Sequence, residues 1–261
     1  MTLRPRTLVP FVIVVYFLIL IPLVVVIGVS FNPTSSYTFP PAGFSLRWYQ
    51  AFFATESYVD SFFRVSLTVA FAVALIATVI GMLAATAIVR FRFRGRQALE
   101  TFFLAPLMTP QILLGAALYL FFARLEFDAS PATMALGHLV IATPYVIRTV
   151  TAGLVGMDPS LEEAAMSLGA SRIYAFLRVT LPLLRSGLLS GAVFAFVISL
   201  GDINLALFLS GPNSTTLPVH LFSTIHWGGD PTIAAASTLQ IVIVGAAIFF
   251  VQKIFRLRLM M

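Results

Sequence analysis

The chain has 261 residues, 59% of them hydrophobic and only 10% charged, against roughly 25% charged in an ordinary soluble domain, which excludes a water-soluble fold. Sixteen Lys and Arg against ten Asp and Glu leave a net charge of +6; the Arg flank apolar stretches with no aromatic and basic face beside them, so they belong next to anionic lipid headgroups rather than on nucleic acid. With no Cys, disulfides, thiolate nucleophiles and Cys-ligated metal sites are excluded.

A helix rises 1.5 Å per residue and needs about 20 residues to cross roughly 30 Å of hydrocarbon. Residues 7–31 are uncharged and follow Arg4 and Arg6 in the manner of a signal peptide. The core is too long and lacks a small-x-small cleavage site, which predicts an uncleaved signal anchor. Residues 32–60 form an outer excursion whose aromatics, including Phe44, Trp48 and Tyr49, suit the headgroup belt. Uncharged spans follow at 66–89 and 101–123. Pro106 and Pro110 interrupt the second of these, beside Thr109 and Gln111; the freed carbonyls either line a cavity or mark a kink packed on neighbours. Residues 129–152 carry His138 and Pro144 and are more polar, but the topology requires them as a span. The fifth span, 186–209, contains Asp202, and the sixth covers 231–252. The expected fold is all-α, one polytopic bundle of six transmembrane helices forming a single domain over 1–261.

Six spans place both termini on one side. The segments on that side hold twelve Lys and Arg, the opposite segments hold Arg47, Arg64 and Arg124, and Arg148 lies at the boundary. The positive-inside rule therefore predicts cytosolic termini. Dropping the fourth span would turn the last two basic clusters outward.

The inner segment 156–185 is too ordered in pattern for a passive connector. Ser160-Leu161-Glu162-Glu163 has the form of a capping box, with Ser160 accepting the Glu163 N–H. Ala164, Ala165, Met166, Ser167 and Leu168 continue a short helix and Gly169 stops it. Ser171 can cap a second helix, running until Leu181-Pro182 turns the chain into the fifth span. The product is a small-faced helical knob suited to another protein's groove.

Glu163-Ala164-Ala165, Gly169 after three residues, and Val179-Thr180-Leu181-Pro182 after nine more resemble the EAA loop, EAA-x3-G-x9-I-x-LP, of binding-protein-dependent (type I) ABC importer permeases. Val179 replaces the usual Ile. Ser30-Phe31-Asn32, Gly43-Phe44, Trp48-Tyr49, Arg92-Phe93-Arg94-Gly95, Met108-Thr109-Pro110, Gly211-Pro212 and Leu217-Pro218 extend the likeness over most of the chain, to the permeases of spermidine and putrescine importers. The resemblance implies a bacterial inner-membrane subunit with the type I permease fold. It also implies partners: a dimer of cytosolic ABC ATPases, a second and different permease chain, and an extracytoplasmic solute-binding protein. Glu162, Glu163, Ala164, Ala165, Leu168, Gly169 and Ala170 are then the ATPase-coupling residues. Permeases for ferric iron, phosphonates and thiamine share much of the pattern, which leaves the solute open.

Inside the membrane, Asp202 is either a pathway acid for a cationic solute or a structural hydrogen-bonding group. Ser199 shares its helix face, and Asn204 lies opposite; with Gln111 and Thr109 they complete the pathway candidates. Gly187-x-x-x-Gly191 permits close helix contact. The three His lack metal-ligand spacing, so no metal or other cofactor is expected. The sole Lys, Lys253, follows Gln252 rather than a glycine, so a Walker A loop is absent. With no Ser-His-Asp pattern in the sequence either, no catalytic residues are expected. A secondary transporter would need repeated halves and coupling-ion acids, which the sequence does not show.

Overall fold

The structure, a computed structural model, describes residues 5–226 and 231–256; Arg4 and Arg258 of the basic flanks lie outside the described residues. Among the described residues every regular element is helical. Five stretches are long and apolar enough to cross a membrane: Val9–Ser30, Glu56–Arg90, Pro131–Val155, Arg172–Gly201 and Thr232–Lys253. The pair Arg96–Leu107 and Gln111–Arg124, bent by 107°, makes a sixth when taken as one broken span. The fourth span, which sequence composition supports least, is thus a straightforward helix.

The chain divides into two compact units, Met1–Asp60 with His220–Gly245 and Ser61–Val219 with Ala246–Met261. In the first, α1 (Pro5–Ser30) leads into a loop closed by α2 (Arg47–Ala54) and α3 (Glu56–Val59). The Trp48 indole N–H donates to the Asn32 carbonyl at 2.7 Å, and Tyr49 and Ser30 share a hydroxyl hydrogen bond of 2.7 Å. Asn32 in turn donates to Thr38 Oγ1 at 2.8 Å, and Phe31 stacks on Phe44 at 4.8 Å. The expectation that these aromatics lie in the headgroup belt is corrected for Trp48. It is buried, because a carbonyl past the end of α1 gives its N–H an acceptor inside the protein.

In the second unit, α4 (Thr68–Arg90), α7 (Pro131–Val155) and α10 (Leu181–Gly201) pack through small and β-branched residues, among them the fully buried Ala77, Ala85, Val146, Val150 and Ala195. A Cβ on Gly191 would lie 2.6 Å from Thr149 Oγ1 and 3.1 Å from Val146 Cα, so only glycine lets α10 approach α7 this closely. Where lipid is as apolar as the core, this fit of surfaces replaces hydrophobic driving force.

Three boundaries differ from the sequence expectation. The second crossing starts at Glu56 rather than 66 and includes a wide π-helical turn, Asp60–Leu67. The fifth begins within segment 156–185: α9 (Arg172–Ala175), a π-helical turn (Phe176–Thr180) and α10 form one helix, with no turn at Leu181-Pro182. Pro182 falls in the first turn of α10 and would crowd the Arg178 carbonyl in ordinary α geometry; the wider π turn sits at that point. The fifth helix then stops at Gly201. Asp202 is extended at φ −69°, ψ 133°, and a separate turn, α11 (Ala206–Leu209), follows. The remaining elements are α5 (Arg96–Leu104) with a 3₁₀ turn (Ala105–Leu107), α6 (Gln111–Arg124), α8 (Ser160–Ser167), α12 (Leu217–His226) and α13 (Thr232–Arg256).

Candidate functional site

Segment 156–185 folds as the predicted helical knob, with one correction to its cap. Ser160 is the first residue of α8 and its hydroxyl caps nothing. Instead, Asp158 Oδ1 accepts the Ser160 N–H at 2.9 Å, and that bond holds the exposed Asp158 carboxyl below its ordinary range. Asp158 lies two residues upstream and reaches the free amide first, so the capping box does not form. At the other end, Gly169 has φ +93°, a conformation costly for residues with a Cβ. Its N–H bonds the Met166 carbonyl at 2.9 Å, and the Ala170 N–H bonds Ala165 at 3.1 Å. This pair of bonds is a Schellman motif and satisfies two end carbonyls. Ser171 Oγ then accepts the Tyr174 N–H at 3.3 Å, capping α9 as expected.

The two adjacent glutamates point to different tasks. Glu162 turns inward: its Oε1 accepts the Thr180 hydroxyl and lies 4.0 Å from Arg90 Nη2 at the end of α4. Arg90 also reaches Met157 Sδ at 3.6 Å. Glu163 and Ala164 are exposed. Leu168 is 91% exposed and Ile173 73%, and Leu168 lines a shallow groove with Ala165, Gly169, Ala170, Ser171 and Tyr174. A buttressed back and an apolar, solvent-facing front are what a docking element requires.

The pathway candidates gather where two spans break. Asn204, just past the end of α10, donates to Gln111 Oε1 at the start of α6, at 3.0 Å. Thr109 is exposed beside the same break and bonds the Ala105 carbonyl at 3.0 Å. Asp202 is buried and its Oδ2 accepts the N–H groups of Leu205 at 3.0 Å and Ala206 at 2.9 Å, which caps α11. The same oxygen lies 3.6 Å from His138 Nε2, and His138 Nδ1 is 2.8 Å from Ser199 Oγ. Ser199 and Asp202 are therefore linked through His138 rather than along one helix face. Sequence reasoning missed His138, Thr180 and Arg90. A lone histidine in the fourth span was the signal for the first; Thr180 lies within the quoted Val179-Thr180-Leu181-Pro182 stretch and Arg90 within a basic cluster, but nothing local marks Glu162 as their common partner.

The model of the family described as the binding-protein-dependent transport system inner membrane component matches residues 77–260, which include the knob and both breaks. The chain belongs to this family. The permease is 36% identical over 231 residues to the putrescine transport system permease protein PotI of Escherichia coli (strain K12), covering 86% of this chain and 82% of the relative. It is 33% identical over 246 residues to the spermidine/putrescine transport system permease protein PotC of Haemophilus influenzae, covering 94% and 95%. Among solved structures, the permease superposes with a TM-score of 0.72, at 15% identity, on a chain of a bacterial ABC transporter involved in the import of the acidic polysaccharide alginate, over 97% of this chain and 94% of that one. A chain of an amino acid ABC transporter aligns at a TM-score of 0.59 and 15% identity, over 78% and 97%. At such identities the structural likeness establishes the fold, which is that of type I ABC importer permeases.

Proposed function

We propose that this permease subunit forms, with a second permease chain, the membrane pathway of a bacterial inner-membrane ABC importer for polyamines such as putrescine and spermidine. An extracytoplasmic binding protein delivers the solute, and two cytosolic ATPase subunits supply the energy. The observation that carries the reading is the knob: an exposed apolar front, ended by a Schellman turn and held from behind by Glu162, within a chain one third identical to named polyamine permeases over nearly its whole length.

In this reading Glu163, Ala164, Ala165, Leu168, Gly169 and Ala170 meet the ATPase, and Glu162 fixes their frame. The termini and the knob face the cytosol, in keeping with the twelve-to-three distribution of basic residues. Asn204, Gln111 and Thr109 offer amide and hydroxyl oxygens to an ammonium group at the junction of the broken spans. Asp202 and Ser199 set the shape of that junction through His138.

The test is uptake of labelled putrescine by cells lacking their own polyamine importers and expressing this chain with the ATPase, binding protein and second permease encoded beside it. Uptake that needs the ATPase's catalytic residues supports the reading. Transport of 2-aminoethylphosphonate in preference to putrescine would move the substrate to that of a third relative, the putative 2-aminoethylphosphonate transport system permease protein PhnV of Salmonella typhimurium, which is 29% identical over 194 residues. Uptake independent of ATP would overturn the class of mechanism.

A further inference from the structure

We propose, on the reading of the junction between the two broken spans as part of the solute pathway, that α6 is the moving leaf of a gate there and that the hydrogen bond from Asn204 to Gln111 is its latch. The two sides of the junction are held unequally.

The side formed by residues 202–209 is fixed. Leu205 and Ala206 are fully buried and Leu209 is 3% exposed. The Leu205 and Leu209 side chains fill the space that a Cβ on Gly137 of α7 would take, so the segment is seated in a notch of the fourth crossing. Asp202 ties its start to the amides of Leu205 and Ala206. In a close-packed core this segment cannot shift without unpacking α7.

The hold on α6 is far lighter. Of its 14 residues only Gly115 and Phe122 are buried, and the Phe122 ring stacks at 6.0 Å on Phe127, just past the end of the same helix. Gly115 meets the fixed side: a Cβ there would lie 2.8 Å from Phe208 Cδ2 and 3.1 Å from Leu205 Cα. That contact has no side chain on the α6 side to interlock, so the two surfaces can part. Among the described residues, Gln111 makes the sole side-chain hydrogen bond from α6 to another element, with Asn204 at 3.0 Å.

Both ends of α6 are joints. Pro110 has no N–H to continue the preceding helix, and the axis turns by 107° across this break. At the other end the chain leaves through Glu126 at φ +60°. A helix between two such breaks swings as a body, the few residues at each break absorbing the change of backbone angle. The latch is suited to a gate, because a hydrogen bond between uncharged amides shifts an equilibrium only several-fold. It holds α6 closed at rest and yields when the ATPases drive the cycle.

Leu118 is half-buried and shares the face of α6 that carries Gln111, Gly115 and Phe122. Since no native Cys exists, Leu118→Cys reports water on that face through its rate of reaction with methanethiosulfonate ethylammonium. The complete transporter is reconstituted with its ATPase, second permease and binding protein, and no solute is added, so the result is independent of what the permease carries. The rate should rise several-fold when ATP and vanadate trap the ATPases closed. Asn204→Leu and Gln111→Leu should each raise the resting rate several-fold, and the double variant no further, since all three break the same bond. Asn204→Gln combined with Gln111→Asn rebuilds a pair of the same total length and should return the resting rate toward wild type. The comparison of resting and trapped states needs no latch variant and so stands even if those variants fold poorly. Equal rates in the two states, or a thiol unreactive in both, overturn the moving leaf. Wild-type resting rates in the Leu variants, or additive effects in the double variant, overturn the latch.

Discussion

The Thr180 hydroxyl donates to the Glu162 carboxylate eighteen residues earlier, tying the knob helix to the base of the fifth crossing. Removing the donor in Thr180→Val leaves a half-buried carboxylate facing only Arg90 at 4.0 Å. The expected cost is about 1 kcal/mol, since Glu162 retains some solvent. Hydrogen exchange across residues 160–180 should accelerate, and uptake per ATP hydrolysed should fall. Glu162→Gln keeps an acceptor for Thr180 and should be the milder change; equal effects of the two would dismiss the hydroxyl's role.

Gly169 sits at φ +93° with no neighbouring atom near its missing Cβ, so strain, not collision, opposes a larger residue. Gly169→Val should cost about 1–3 kcal/mol locally and unwind the Schellman turn that sets Leu168 forward. Membrane insertion should persist while the ATPase ceases to co-purify and uptake drops. Wild-type co-purification would remove this turn from the coupling role.

Basic residues divide twelve to three across the proposed membrane. A Cys placed at Ser171, between α8 and α9, should resist an impermeant maleimide in intact cells and react once the cells are opened. Reaction in sealed cells would invert the proposed orientation.

Asp202 holds two backbone amides and approaches His138. Asp202→Ala orphans both amides and should lower the melting temperature in detergent, by the equivalent of about 1–3 kcal/mol. Asp202→Asn keeps an acceptor oxygen and should melt close to wild type. If Asn instead abolishes putrescine uptake at unchanged stability, the carboxylate charge acts on the solute directly.

What the sequence disclosed and what it hid divide along physical lines. Uncharged runs marked the crossings because hydrocarbon tolerates little else, and Gly169 and Ser171 announced their turns by local backbone chemistry. Thr180 and Arg90 find Glu162 from residues far away in the chain, and no local pattern encodes such meetings. The capping box misled because Asp158, two residues ahead of Ser160, offers an oxygen to the same stretch of free amides. The break after Gly201 was hidden because Ile203 to Leu209 is as apolar as any span except for Asn204; the chain leaves the helix there because Asp202 finds two N–H groups of the next turn.

From Arg172 to Gly201 the fifth crossing is one unbroken helix of 30 residues, about 45 Å of rod at 1.5 Å per residue. One end carries Tyr174 at the rim of the knob groove, and the other ends at the junction of Asp202, Asn204 and Gln111. A push at Tyr174 therefore arrives at that junction as a tilt or axial shift of a single lever. The π turn at Phe176–Thr180 is the only change of helical winding along it, and it sits where Thr180 clasps Glu162. In the proposed coupling role, the clasp of Thr180 on Glu162 is where this lever is joined to the knob.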